Sequence, residues 1–140
     1  MTKLKNQTPS FYKGKLYYTA EPMILNKSLN FKNELKKAKE YDLKPFILTR
    51  GVIIPNKEFG NNRLKFDFDC GIDSYTGNFD GFLYRNNKIS GKMKWSVDAK
   101  LEDDIIDGYY YKKKESKIII CGLWDANKRG KNYFVIEIEK

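Results

Sequence analysis

The stretch Lys88-Ile-Ser-Gly-Lys-Met-Lys-Trp-Ser-Val97 decides the fold. Ile89, Gly91, Met93, Trp95 and Val97 fall on one side of an extended chain, and Lys88, Ser90, Lys92, Lys94 and Ser96 on the other, without an exception. A period of two residues with this contrast is the pattern of a strand that has one dry face and one wet face. Just upstream, Asn86-Asn87 suits the positive-φ positions of a tight turn, which makes Phe79–Arg85 the hairpin partner of this strand.

Working outward, the same reading recurs. Leu64, Phe66, Phe68 and Cys70 alternate with Lys65, Asp67 and Asp69. Ile105–Tyr111, Lys117–Trp124 and Tyr133–Glu139 follow as strands, separated by turn-rich segments at Lys112–Ser116 and Asp125–Lys131. Toward the start of the chain, Phe11–Tyr18 is an aromatic-rich strand closed by Glu21-Pro22. Phe46–Pro55 is a buried strand with Gly51 as its bulge, and Asn56–Asn62 is a loop.

One segment changes period. Leu29, Phe31, Leu35, Ala38 and Tyr41 recur at three- and four-residue spacing, which predicts an amphipathic helix at about 29–43. Ser28 or Asn30 caps its start, and Lys44 before Pro45 sets its end. The expected fold is therefore mostly β. About eight antiparallel strands form an up-and-down meander, closed or partly open as a barrel, with the helix between strands 1 and 2. A two-layer β-sandwich is the alternative. Glycines 14, 51, 81, 91, 108 and 122 lie within strands, where a coiled sheet needs them, and both Trp95 and Trp124 are expected in the core.

One strand, a helical excursion and a long meander resembles the calycin barrels in order of elements. Gly122-Leu123-Trp124 is similar to the Gly-X-Trp of lipocalins, although there it belongs to the first strand and here to the seventh. The resemblance implies a barrel that binds a small ligand, and no site residue carries over from it.

The 140 residues suit a single domain spanning 1–140, with 1–9 as a flexible N-terminal segment. Hydrophobic residues at 41% against 32% charged place the chain among globular proteins. No apolar targeting segment follows Met1, and the strongest apolar run, Ile118–Trp124, is far short of the roughly 20 residues that span a bilayer. A cytoplasmic location without membrane contact is expected. Cys70 and Cys121 lie in strand-like runs and read as buried thiols rather than zinc ligands. The chain has no histidine, which removes the commonest general base and metal ligand. Neither an enzyme nor a cofactor is expected.

The acidic candidates are thin. Asp67, Asp69, Gly71 and Asp73 resemble a calcium loop, but the twelfth position is Asn78 where a bidentate Glu is needed. Glu102, Asp103, Asp104 and Asp107 read as an acidic turn, and Glu115-Ser116-Lys117 as a hairpin turn; no metal site follows.

The net charge of +9 favours an anionic partner, although lysine rather than arginine supplies most of it. The leading candidate site is Tyr109 and Tyr111, which share a face, with Lys112, Lys113 and Lys114 beside them. Lys36 and Lys39 of the helix, with Lys88, Lys92 and Lys94, extend the basic surface. The expected function is a non-enzymatic binding module, a protein-binding inhibitor or immunity-type factor that engages an acidic protein surface. The alternatives are a barrel for an anionic aromatic ligand such as a nucleotide, and a nucleic-acid binder.

Overall fold

The computed structural model describes residues 9–55, 61–69, 76–95, 104–114, 116–126 and 130–140, with the Trp95 side chain outside the description. Within them the alternating segments become eight strands: β1 (Ser10–Tyr18), β2 (Phe46–Ile54), β3 (Asn62–Asp69), β4 (Thr76–Leu83), β5 (Lys88–Trp95), β6 (Asp104–Lys114), β7 (Lys117–Asp125) and β8 (Lys131–Glu139). Helix α1 (Phe31–Tyr41) lies between β1 and β2. Each strand pairs antiparallel with the next, and β1 also pairs with β8, matching Gly14 with Ile138 and Leu16 with Ile136. The sheet is a closed barrel, not a sandwich.

Closure turns the period-two pattern into an inside and an outside. Leu16, Leu48, Leu64, Phe66, Phe68, Phe79, Met93, Ile106, Ile120, Phe134 and Ile136 point inward, none more than 3% exposed. A cavity wide enough for water would leave accessible surface on the side chains around it, so along these residues the lumen is filled. Aromatic rings occupy much of it: Phe66 stacks on Phe79 at 4.6 Å between centroids, and Phe68 meets Trp124 edge-on at 6.0 Å. Polar groups near the barrel ends are paired. Trp124 Nε1 donates to buried Asp104 at 2.9 Å, and Tyr110 Oη donates to the Tyr84 carbonyl at 2.7 Å.

Helix α1 lies on the outer wall over β1, β7 and β8, not across a barrel end. Phe31, Leu35 and Ala38 form a second apolar cluster with Tyr17, Ile119, Cys121 and Val135. Cys121 is a buried free thiol, while Cys70 lies outside the described residues. Asn30 caps the helix by accepting from the Asn33 N–H at 3.1 Å. At the other end, Asp42 receives the Tyr18 N–H at 2.9 Å and the Lys44 N–H at 3.1 Å. The helix thus stops at Tyr41, ahead of Lys44-Pro45, because Asp42 adopts an extended conformation and bonds back to β1. No described helix is long and apolar enough to cross a membrane.

Three local expectations shift. The β2 irregularity falls at Thr49–Arg50, before Gly51: Leu48 points inward, Thr49 and Arg50 both face outward, and Ile53 returns to the interior. The β4–β5 turn uses one left-handed residue, Asn87 with φ 66°, after a turn closed by its N–H donating to the Tyr84 carbonyl at 3.1 Å. Lys112–Lys114, expected as turn, instead extend β6, because Lys112 pairs with Ile118 and Lys114 with Lys117 across an irregularity.

Gly81 and Gly91 face each other across β4 and β5. A Cβ on Gly91 would lie 2.6 Å from both the Asp80 carbonyl and the Phe79 ring, and 2.7 Å from the Gly81 Cα. The sheet closes at this spot only because both residues lack a side chain. Gly91→Val should therefore destabilise by about 1–3 kcal/mol through overpacking. A lowered urea midpoint at unchanged slope is expected, and wild-type stability would contradict the packing described.

Candidate functional site

The outer face of β2–β5 carries a groove of about 870 Å³. Its floor reaches the backbone at Gly81 and Gly91, and its sides are outward residues of four adjacent strands. Register sets them in rows across the sheet. Arg50, Asp67, Asn78 and Lys94 form one row, Val52, Lys65, Asp80 and Lys92 the next, and Ile54, Arg63, Phe82 and Ser90 the third. The Thr49–Arg50 irregularity turns Arg50 outward and so completes the first row.

Arg63 reaches diagonally to Asp80 in a two-pronged pair, Nε to Oδ1 at 2.9 Å and Nη2 to Oδ2 at 2.6 Å. The hydrogen bond from Arg63 holds the Asp80 carboxyl below its usual range, against the effect of burial, with Arg63, Lys65 and Lys94 adding positive charge around it. Planar pairing of this kind fixes the guanidinium in place. Arg50, Lys65 and Lys92 form no ion pair among the described residues and keep their charge available. Phe82, 39% exposed, adds an apolar surface at one end of the groove.

The residues singled out from the sequence go elsewhere. Tyr109 and Tyr111 do share the outer face, with Tyr110 turned inward. Tyr111 stacks on Phe31 of α1 at 5.8 Å between centroids, and Tyr109 packs against the helix cluster with Lys88 Nζ 6.0 Å from its ring. Both tyrosines therefore spend ring surface on docking the helix. Lys112, Lys113 and Lys114 are exposed at the far end of β6, and Lys36 is exposed on α1. Lys39 is committed, 3.0 Å from Glu137, which also holds Lys117 at 3.0 Å. Because α1 covers β1, β7 and β8 while Lys92 and Lys94 line the groove on β2–β5, these two lysines do not form one surface with those of the helix; Lys88 lies instead beside Tyr109.

The acidic clusters are described only in part. Asp104 is buried inside the barrel end while Asp107 is exposed on the outer face, and Glu102, Asp103 and Glu115 lie outside the described residues. Asp67 and Asp69 sit on the outer face of β3, with 70–75 outside the description. Among the described residues no group of three or more His, Cys, Asp or Glu side chains converges to hold a metal.

Sequence reading missed Arg50, Arg63, Lys65 and Asp80 as a group. Their signal was the charged alternation along β3, but only the cross-strand register brings it beside β2 and β5. No known protein family, curated protein or solved structure matches the chain, so its own geometry carries the functional argument.

Glu137 makes a testable link between helix and barrel. Burial pushes its carboxyl up, but hydrogen bonds from Lys117 and Lys39 outweigh this and leave it below the ordinary value of 4.5. A depressed folded pKa contributes stability that is present above that value and is lost as pH falls through the folded pKa. Glu137→Gln should cost about 1 kcal/mol near neutrality, and its gap from wild type should close as the pH falls from 4.5 through the lower folded value. A gap that is independent of pH would show that the two lysine contacts contribute nothing.

Proposed function

We propose that this protein is a non-enzymatic binding module that presents the outer face of β2–β5 to an acidic protein partner, as an inhibitor or immunity-type factor would. The observation that carries the reading is the groove itself, in which Arg50, Lys65 and Lys92, none of them in an ion pair among the described residues, surround a guanidinium held in place by Asp80. Cations gathered in a concavity focus their field and speed the encounter with an oppositely charged partner.

Two further features support it. The inward side chains fill the lumen, so binding in the manner of a ligand-holding barrel has no space along them. The outer wall of β2–β5 is charged, the reverse of a lipid-facing barrel surface, and so presents itself to water and to polar partners.

A comparison of two surfaces tests the proposal. Arg50→Glu, Lys65→Glu and Lys92→Glu together change net charge by the same amount as Lys112→Glu, Lys113→Glu and Lys114→Glu, so a purely overall charge effect would be equal in both. On immobilised polyglutamate with a rising salt gradient, the groove variant should elute markedly earlier than the β6 variant. Equal elution, or a larger shift from the β6 variant, would reject the groove as the binding surface.

A further inference from the structure

We infer that the groove takes an acidic amphipathic helix from its protein partner, an inference that rests on the binding role proposed above. Closure removes the first alternative. All eight strands are paired on both sides, so a partner segment cannot add itself as a strand through backbone hydrogen bonds and must be recognised by side chains.

Dimensions favour a helix among the remaining forms. Four strands at about 4.8 Å spacing put β2 and β5 about 14 Å apart, enough to seat a helix about 10–12 Å across. The cations stand where such a helix would present its flanks, with Arg50 on β2 and Lys92 and Lys94 on β5. Phe82 on β4 lies between them, and partly buried Val52 and Ile54 on β2 add apolar surface along one side for the stripe of the helix.

The charge pattern also selects against a uniform polyanion. Asp67 and Asp80 sit inside the groove among the cations, and a phosphate backbone laid along it would bring negative charge against both. A helix can carry acidic residues on its flanks and leave neutral or basic ones opposite these carboxylates. The sequence therefore places the carboxylates as a filter on which anionic partners fit.

The test uses three probes on the full chain at low ionic strength: a helical peptide of about 18 residues with Glu flanking a Leu stripe, long enough to hold a helix in water; the same composition with central prolines; and an oligothymidine of similar charge. Fluorescence anisotropy would give affinity, and amide chemical shifts would locate binding. The helical peptide should bind at least tenfold more tightly than the proline-broken one and should shift Arg50, Lys65, Phe82 and Lys92. Phe82→Ser, at a half-exposed position that leaves the interior intact, should remove most of that tenfold preference. Equal binding of the two peptides, or tighter binding of the oligothymidine at the same residues, would overturn the helix inference while leaving an anion-binding groove in place. No shift in the groove with any probe would overturn the binding role as well.

Discussion

The antiparallel pairing of β1 with β8 is the constraint on which the rest of the structure depends. It converts a meander with two free edges into a barrel with none, and so fixes which side of every strand is interior. Once Leu16 lies opposite Ile136 inside the lumen, Tyr17 and Val135 must point outward, where α1 is available to cover them. Closure, with the described lumen occupied by side chains, leaves the outer face as the side of the sheet open to another molecule.

The outer wall is consequently divided. Over β7, β8 and β1 it is apolar and belongs to the helix, with Phe31, Leu35 and Ala38 seated on Ile119, Cys121 and Val135. Over β2–β5 no described element packs on it, and the groove there is mostly basic. Gly81 and Gly91 contribute to both roles, since the absence of their inward side chains admits the Phe79 ring while their backbone forms part of the groove floor. Packing and the candidate site therefore share the same two residues, and a change made there would be felt on both faces of the sheet.

How much was legible in the sequence depended on whether the signal was local. The β5 alternation, the helix period and the count of strands are local, and all were readable. The unbroken apolar run Ile118–Trp124 also held information about helix docking: β7 lacks alternation because Ile119 and Cys121 are buried under α1 while Ile118 and Ile120 are buried in the lumen. The groove was not readable, because its members are dispersed from Arg50 to Lys94 and meet only through register. A single extra residue at Thr49–Arg50 reverses which of the later β2 residues face out, and a pattern search that assumes strict alternation misplaces it. The Tyr109–Lys114 cluster drew attention for the opposite reason. It is conspicuous in sequence, yet part of its aromatic surface is used in packing against Phe31 and the helix cluster.

The most direct test of the account is amide hydrogen exchange followed residue by residue along the β1–β8 seam. In a closed barrel the amides of Lys13–Tyr18 and Phe134–Glu139 that bond across the seam should be protected as strongly as those joining β3 to β4, since opening either ladder breaks the same continuous sheet. Seam amides that exchange at the rate of the exposed turn residue Asn86 would mean that the sheet is open at β1 and β8. The division of the sheet into a filled interior and an outer wall would then fail.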